Sequence, residues 1–206
     1  MAIKIVSNNP EKLKKQLEIL KKFINAEELL SENEWVAFSS IWEIHTVKRK
    51  ENITHSQQTE KYLYFVIEGV QRVYYSSKDG HEATITLTYP HSFGGVLDSF
   101  LLQKQSNYNY ESLTPSVLIR APYKKFMEVT TNNTSLDNLI KKLTYEALSG
   151  LLERMAELQC YTSEEKFKTL LNRSPQILQL VPHKYLANYL GIDPTNFSKL
   201  LNGVKI

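Results

Sequence analysis

The segment at residues 181–202 constrains the fold most, because it has the pattern of two short helices joined by a sharp turn. Three apolar residues of its first half are spaced as on one face of a helix: Leu186, Ala187 and Leu190. Gly191 then ends this helix, since glycine adopts the left-handed conformation without a steric clash. Asp193 is a favourable N-cap for a second helix, and Pro194 is a favourable first residue. The pattern predicts a helix-turn-helix, whose second helix enters the major groove of DNA.

The polar residues of the predicted second helix are suited to contact DNA. Those outside its apolar stripe carry hydroxyls, amides and one cation: Thr195, Asn196, Ser198, Lys199 and Asn202. Such groups bind base edges or phosphates. An ordinary helical hairpin with a solvated face has a similar composition. The combination of a small residue, a glycine and apolar residues in and beyond the turn favours the DNA-binding interpretation: Ala187, Gly191, Ile192, Phe197 and Leu200.

Length, cysteine content and charge agree with a protein of the cytoplasm. The 206 residues suffice for one large domain or two modest ones. The single cysteine, Cys160, excludes an intramolecular disulfide framework, and we expect neither a membrane span nor a secretory signal. The net charge is +3, and residues 162–206 carry all of this excess, with six basic and three acidic residues. Because this charge is mild, we expect one copy to bind DNA weakly and dimerisation to strengthen binding.

Residues 41–126 have the pattern of an antiparallel β domain. Aromatic and β-branched residues dominate short segments at 41–47, 62–67, 70–74, 83–89, 108–113 and 117–121. Lys78-Asp79-Gly80 is a hairpin turn signal, and Phe93-Gly94-Gly95 interrupts the chain sharply. With the turn signals between them, these segments indicate seven or eight short strands, and that number predicts a barrel or sandwich. Amphipathic helices are predicted before it at residues 9–26 and 27–38, the second with the capping-box residues Ser31 and Glu34.

A long helical pattern follows at residues 133–161. Its apolar residues cover too wide a surface for one buried face, so part of the helix needs another partner. Leu136, Leu143 and Gly150 repeat every seven residues, as in a parallel coiled coil across a two-fold axis. The alternative is a core helix of an all-helical C-terminal half. We favour a dimerisation helix, because a helix-turn-helix protein usually needs two copies to span two half-sites. The chain then divides into helices with β domain, dimerisation helix and DNA-binding domain: 1–132, 133–161 and 162–206.

This order of elements resembles the Crp/Fnr family of bacterial transcription regulators, and most of all the branch common in Bacteroidetes. The resemblance rests on the barrel segments YLYFVIEGVQRVYY and KDGHEATI and on the C-terminal segment EEKFKTLLNRSPQILQLVPHKYLANYLGIDPTNFSKLL. It implies an α+β fold, in which an N-terminal antiparallel β-barrel, a jelly roll of the cyclic-nucleotide-binding type, precedes a long dimerisation helix and a C-terminal helix-turn-helix. It also implies a homodimer on a palindromic promoter site of double-stranded DNA, with RNA polymerase as a further partner and the barrel as regulatory domain.

The barrel departs from the family pattern where a nucleotide would bind. In the cyclic-nucleotide-binding members, Phe-Gly-Glu opens a phosphate-binding cassette, whose glutamate binds the ribose and whose later arginine pairs with the phosphate. Here Gly95 replaces the glutamate, and the arginine position falls near Ser106. A buried phosphate without a cation is unfavourable, so we expect no cAMP binding by the usual mode, although Lys104 could substitute for the arginine. A small-molecule effector of unknown identity would lie near six residues: Phe93, Gly94, Gly95, Ser106, Asn107 and Tyr108.

The predicted DNA-contacting residues also differ from those of the family. The best-studied members read bases with arginine, glutamate and arginine, whereas this chain has Pro194, Thr195 and Lys199, so we expect another target sequence. His183 and Lys184 match family positions near the DNA backbone, which implies phosphate contacts. Only residues 203–206 follow the second helix, so we expect the hairpin wing of many members to be missing. The predicted set is therefore His183, Lys184, Thr195, Asn196, Ser198 and Lys199.

No constellation in the sequence suggests catalysis, a metal ion or another cofactor. A metal-binding cupin needs clustered histidines, whereas the five histidines are dispersed: His45, His55, His81, His91 and His183. Phe93-Gly94-Gly95 lacks the lysine and the helix of a P-loop. Cys160 is more typical of a buried small apolar residue than of a nucleophile. We therefore expect a protein that is not an enzyme.

Two other functions are compatible with the sequence. One is a sensor switched by an apolar or aromatic ligand, lined by aromatic residues that could equally well just fill the barrel: Tyr62, Tyr64, Phe65, Tyr108 and Tyr110. The other is a sensor of cyclic nucleotides or other small molecules whose main output is protein contacts rather than tight DNA binding.

Overall fold

The computed structural model describes residues 10–203. Both expected N-terminal helices are present: α1 (Pro10–Glu27) and α2 (Glu32–Ser39). The capping box is confirmed, because the Ser31 hydroxyl accepts from the Glu34 N–H and the Glu34 carboxylate accepts from the Ser31 N–H. The sequence pattern begins the first helix at Asn9, which lies outside the described residues, as does the segment before it. Among the residues that the structure describes, no helix combines the length and apolar character needed to cross a membrane.

Eight strands form the β domain: β1 (Glu43–Val47), β2 (Asn52–Thr54), β3 (Tyr62–Glu68), β4 (Gln71–Ser76), β5 (Glu82–Thr88), β6 (Phe93–Gly94), β7 (Asn109–Ser112) and β8 (Ser116–Pro122). They pair antiparallel in two four-stranded sheets, in the orders β1-β8-β3-β6 and β2-β7-β4-β5. The predicted antiparallel jelly roll, with helices before and after it, is confirmed.

Strand β3 shows how one apolar segment contributes to two cores. Tyr64 and Val66 point into the space between the sheets, where they belong to one buried cluster. The alternate residues of the strand belong to a second cluster with α1 and α2: Leu63, Phe65 and Ile67. Because side chains alternate along a strand, a strand that is covered on both faces is apolar almost throughout.

Four short elements were not predicted as such by the sequence pattern: β2, β6, α3 (Leu97–Leu102) and α4 (Tyr123–Thr131). At Phe93-Gly94-Gly95 the pattern indicates only a break, whereas Phe93 and Gly94 pair with β3. Gly95 has φ +112°, which favours glycine, and a Cβ on Gly94 would overlap the hydroxyl of Tyr110. Elements of two to nine residues depend on such tertiary contacts more than on periodicity.

The long helix α5 (Thr134–Cys160) has two unlike halves. The side chain of its N-cap Asn133 accepts from the Leu136 N–H at 3.1 Å, and Leu136 and Leu139 are buried against the β domain's helices. Its second half exposes a row of apolar side chains, named here the α5 stripe: Tyr145, Leu148, Leu151, Leu152, Met155 and Leu158. The expectation that Cys160 is buried was wrong: it is exposed, because it ends this uncovered half.

Four helices complete the described chain: α6 (Ser163–Arg173), α7 (Ile177–Leu180), α8 (His183–Leu190) and α9 (Pro194–Gly203). Helices α8 and α9 are the predicted helix-turn-helix, and Gly191 between them has φ +62°. The apolar residues of the motif are buried together: Leu186, Ala187, Leu190, Ile192 and Phe197. The expected fold of the C-terminal segment is therefore confirmed.

Candidate nucleic-acid interface and effector site

The six residues predicted to contact DNA are all exposed on α8 and α9: His183, Lys184, Thr195, Asn196, Ser198 and Lys199. Helix α9 is oriented by Phe197, which is 2% exposed and whose ring lies 5.5 Å from that of Phe167 in α6. The ring of His183 lies 5.9 Å from the Phe197 ring, so the start of α8 lies beside the first half of α9. Burial of the apolar side of α9 thus presents its polar side to solvent. We name this polar side, with His183 and Lys184, the reading surface.

The start of α9 is fixed by Asp193. Its carboxylate accepts from the N–H groups of Thr195 at 2.8 Å and Asn196 at 3.3 Å, as the sequence pattern predicts for an N-cap. The Ser198 hydroxyl donates to the Pro194 carbonyl at 2.9 Å, so its remaining role toward a ligand is that of an acceptor. Within residues 10–203, no hydrogen bond or ion pair occupies the side chains of Asn196 and Lys199. Together with the exposed Thr195 and Asn202, these two side chains are groups that the helix can offer to a ligand.

The cations of the reading surface are few. Lys184 lies at the first turn of α8, with its ammonium 4.5 Å from the centre of the Tyr185 ring, and it remains exposed. Such a contact steadies a lysine without neutralising it. The expected lack of a wing concerns residues beyond Gly203, and those at 204–206 lie outside the described part of the chain. Binding of phosphates by a single copy would thus depend on Lys184, Lys199 and few other groups.

Helix α8 is fixed to the β domain by Asn188, whose role the sequence did not suggest. Its side-chain oxygen accepts from the Thr84 N–H at 2.7 Å and from the Thr84 hydroxyl at 2.6 Å, and its Nδ2 donates to the Glu82 carbonyl at 2.8 Å. Val70 and Leu113 of the β domain pack into the same apolar cluster as the helix-turn-helix. The helix-turn-helix is therefore docked on the barrel rather than joined to it by a free linker.

Arg72 on β4 strengthens this docking. Its guanidinium donates to Glu111 at 2.8 Å and to Glu82 at 2.7 Å. It also stacks on Tyr74 at 3.9 Å and on Tyr185 of α8 at 4.6 Å, measured from Cζ to the ring centres. The side chain of Arg72 is only 5% exposed, whereas that of Glu82 is 42% exposed, so this bridge between the barrel and the helix-turn-helix is buried at Arg72 and open to solvent at Glu82. We name the pair of helices α8 and α9 the reading unit.

A second bridge joins α5 to the helix-turn-helix. Arg154 and Glu157 of α5 are each 6% exposed, and Arg154 donates to Glu157 at 3.3 Å. Glu157 also pairs with Arg173 of α6, and Arg154 donates to the Tyr189 carbonyl while its guanidinium stacks 4.0 Å from that ring. The long helix and the reading unit are consequently held in one arrangement. In the sequence, the charged residues Arg154 and Glu157 lie within the apolar pattern of the long helix, and this is the signal that could have indicated the contact.

The predicted effector residues are only partly brought together. Phe93, Gly94 and Gly95 form β6 and the turn after it, next to β3. Ser106 is fully buried, but its hydroxyl accepts from the Tyr108 N–H and donates to the Tyr108 carbonyl, both at 2.8 Å, so it stabilises its own loop. Asn107 is exposed. The proposed replacement for the arginine, Lys104, is exposed and lies 3.7 Å from the carboxylate of Asp98 on the surface.

Two residues lie against the cassette, the segment 93–99: Glu60, which the sequence did not indicate, and Tyr110, which it indicated only as an aromatic residue of the barrel. Glu60, which is 1% exposed, accepts from the Thr54 hydroxyl at 2.7 Å and from the Val96 N–H at 3.3 Å. Its other oxygen accepts from the Lys61 and Tyr62 N–H groups at 3.0 and 3.2 Å. Burial raises the pKa of Glu60, and these hydrogen bonds offset part of that effect.

Tyr110 is the second of these residues and is fully buried. Its hydroxyl lies 3.3 Å from the Thr88 hydroxyl and packs against the backbone at Gly94. Its ring centre lies 5.6 Å from that of Tyr64, which is also buried. Burial raises the pKa of both phenols. Of the two interpretations of the barrel's aromatic residues, these contacts favour the one in which Tyr64 and Tyr110 fill the interior.

Four of the five histidines are exposed side chains. His55, His81, His91 and His183 are exposed. In the part of the chain that the structure describes, no group of three or more His, Cys, Asp or Glu side chains is arranged to hold a metal ion.

Comparisons with known proteins support this architecture. Residues 44–133, from β1 to the end of α4, match the cyclic nucleotide-binding domain family. A search of curated protein sequences found no significant match.

Solved structures of similar fold cover most of the chain. FixK2 from Bradyrhizobium japonicum has a TM-score of 0.72 at 16% identity, over 79% of this chain and 83% of its own. The c-di-GMP responsive global regulator CLP from Xanthomonas campestris has a TM-score of 0.60 at 15% identity, over 84% and 90%. The catabolite activator protein of Thermus thermophilus has a TM-score of 0.54 at 16% identity, over 87% and 85%. At these identities the likeness establishes the fold of barrel, long helix and helix-turn-helix.

Proposed function

We propose that the chain is a cytoplasmic transcription regulator of the Crp/Fnr type, of the branch common in Bacteroidetes, that binds a palindromic DNA site as a homodimer. In this proposal the barrel is a regulatory domain that does not bind cAMP by the usual mode. RNA polymerase is the further partner that such a role implies.

The reading surface is the observation that carries the proposal. A helix-turn-helix whose second helix is held by the buried Phe197 presents Thr195, Asn196 and Lys199 to solvent at the start and middle of that helix. An amide and a hydroxyl can bond to base edges, and a lysine can bond to a base or a phosphate. The docking through Asn188 leaves the polar side of α9 uncovered, because Asn188 lies on α8 and contacts Thr84 and Glu82 of β5.

The α5 stripe supports a homodimer. Five of its residues, from Leu148 to Leu158, are between 42% and 55% exposed, and Tyr145 is 65% exposed. A continuous apolar face of this kind on a long helix is unfavourable in water and is suited to pair with a second copy. Because Arg154 and Glu157 fix α5 to the reading unit, pairing through α5 would also set the separation of two reading surfaces.

The contacts of the cassette support a barrel without the usual nucleotide. The glutamate that would bind a ribose is absent at Gly95, and Lys104 is engaged with Asp98 at the surface. Of the side chains that lie against the cassette, Glu60 is an acid and Tyr110 an uncharged phenol, so neither supplies the cation that would pair with a buried phosphate.

A DNA-binding measurement tests the proposal. The duplex would be the region upstream of the protein's own gene, titrated with the full chain at several salt concentrations by fluorescence anisotropy. We expect binding that weakens steeply with salt and that is lost in the double variant Asn196→Ala/Lys199→Ala. The control variant is Lys168→Ala, since Lys168 is an exposed lysine of α6 that already pairs with Glu164 at 2.6 Å. Binding without salt dependence, or binding that survives the double substitution, would contradict the proposal.

A further inference from the structure

The cassette backbone is in contact with the chain's own side chains. The Val96 N–H donates to a Glu60 carboxylate oxygen at 3.3 Å, and the Tyr110 hydroxyl lies against the backbone at Gly94. Backbone N–H groups of this kind are the donors with which a turn before a short helix receives an anionic ligand. In this protein the Glu60 carboxylate already occupies the Val96 donor, and Tyr110 fills the space beside it.

We propose that Glu60 and Tyr110 are internal occupants of the cassette, and that they exclude cyclic nucleotides and other organic phosphates from the barrel. This proposal rests on the part of the proposed function that concerns the barrel, and it names the two residues that exclude the nucleotide. It does not depend on DNA binding, and the exchange measurement below can contradict it while the proposed function stands.

Charge is the first reason for the exclusion. Each hydrogen bond that the structure gives the Glu60 carboxylate comes from an uncharged donor, namely a hydroxyl or a backbone N–H. A phosphate that entered the cassette would approach a buried carboxylate, and like charges repel strongly where water is excluded. It would also take a donor from Glu60, which would leave the carboxylate buried with fewer partners.

Space is the second reason. Tyr110 is fully buried, and its hydroxyl fills the position that a Cβ on Gly94 would need. Tyr64 packs beside it, with ring centres 5.6 Å apart. A sugar or base in this place would have to displace both rings from a close-packed interior.

The main chain of Glu60 keeps the cassette closed as well. Its N–H donates to the Ser99 hydroxyl at 3.0 Å, and its carbonyl accepts from the Gln103 side chain at 3.3 Å. The Ser99 hydroxyl in turn donates to the Lys104 carbonyl at 2.6 Å. The segment before β3 and the helix α3 are thus joined on both sides of the Glu60 side chain, without any external ligand.

Hydrogen exchange of the full chain tests the internal contacts. In Glu60→Ala, amides in peptides that cover residues 93–99 should exchange at least about tenfold faster than in the wild type, because a bond to a charged acceptor is lost. Glu68→Ala is the matched control, since Glu68 is an exposed glutamate at the end of β3, the strand that follows Glu60. Glu60→Gln keeps the side-chain volume, and we expect a smaller acceleration in the same peptides. Unchanged exchange at residues 93–99 in both Glu60 variants would overturn the proposal.

A titration with cAMP tests the exclusion itself. We expect neither a thermal shift nor a change of exchange in the wild-type protein at millimolar cAMP. A saturable thermal shift, accompanied by slower exchange at residues 93–99, would show that the nucleotide displaces Glu60 and would also overturn the proposal. Both measurements are made without DNA, so their outcome is independent of whether the protein binds a promoter.

Discussion

The cassette and the reading surface both contain polar side chains, but these side chains differ in burial and in hydrogen bonding. In the cassette, Glu60 and Tyr110 are buried and hydrogen-bonded within the chain. On the reading surface, Asn196 and Lys199 are exposed, with no side-chain partner among the residues described.

This difference indicates which surface of the protein is available to bind a ligand. Buried polar groups that bond to one another are a completed part of the structure, whereas exposed donors and acceptors on a fixed helix still have bonds to make. The α5 stripe is a third, apolar surface that lacks a partner within the described chain. The site at which an effector was expected is thus closed, while the two surfaces that would meet DNA and a second copy are open.

The largest expected effect comes from the α5 stripe. Leu152→Glu places a charge in the middle of the proposed dimer contact, where it would have to be buried. We expect a monomer in sedimentation velocity and a loss of DNA affinity of about 1,000-fold, since one reading surface cannot use both half-sites. The control Glu146→Gln alters an exposed residue of the same helix and should leave the dimer intact. A Leu152→Glu variant that stays dimeric would refute the proposed contact.

The next-largest expected effect tests whether the Glu60 side chain keeps the cassette closed. Glu60→Ala removes the acceptor of four hydrogen bonds in a buried site, so we expect the free energy of unfolding to fall by about 3 kcal/mol. Urea denaturation measures this change, and Glu68→Ala should stay within about 0.5 kcal/mol of the wild type. A cassette that tolerated the loss of Glu60 as well as the loss of Glu68 would not be closed by this side chain.

A smaller expected effect tests whether Lys199 on the reading surface contacts DNA. Lys199→Ala should weaken DNA binding about tenfold and lower the slope of log affinity against log salt by about one, because one phosphate contact is lost. The measurement is anisotropy at several salt concentrations, with Lys168→Ala as control. An unchanged slope would mean that Lys199 does not contact a phosphate.

The N-cap of α9 allows a test of how the first turn of this helix contributes to stability and to DNA binding. Asp193→Ala leaves the N–H groups of Thr195 and Asn196 without their acceptor, and we expect a loss of about 1 kcal/mol in the free energy of unfolding. Asp193→Ser, which also caps helices, should restore most of it. DNA affinity should fall in parallel in the alanine variant, because the start of the reading helix is less ordered.

The smallest effect is a pH dependence. Burial raises the folded-state pKa of Glu60 above its ordinary value of 4.5. The raised pKa therefore contributes stability that is fully present below pH 4.5 and is lost as the pH rises through the folded-state pKa. The difference in unfolding free energy between wild type and Glu60→Gln should thus shift in favour of the variant from acid to neutral pH. A difference that moves the other way would mean that hydrogen bonding, and not burial, dominates the pKa of Glu60.

The sequence predicted the long elements better than the short ones. The stripe of Leu186, Ala187 and Leu190, the glycine at 191 and the cap at 193 were enough to place α8 and α9, because each is a local requirement of the backbone. Elements β6 and α3 have no comparable signal. They exist because Phe93 and Gly94 pair with β3 and because Glu60, Ser99 and Gln103 bond across the turn.

The same distinction applies to the candidate sites. The exposed residues of α9 could be named from the sequence, since a helix with one apolar stripe has only one polar side to offer. Glu60 could not, because it lies 36 residues before its partner Val96 and reaches the cassette only through tertiary contacts. Tyr110 could be named only as an aromatic residue of the barrel, since its place beside Gly94 depends on how the strands pack.

By itself, the sequence determined the secondary structure of the C-terminal motif, the strand-rich character of residues 41–126 and the polar set that α9 presents. These depend on backbone conformation and hydrophobic period, which act over a few neighbouring residues. Only the tertiary structure decided that Asn188 and Arg72 dock the reading unit on the barrel, and that an acid and a phenol fill the cassette. Those outcomes depend on which distant side chains are buried together, because a buried polar group must find its partner wherever the fold places one.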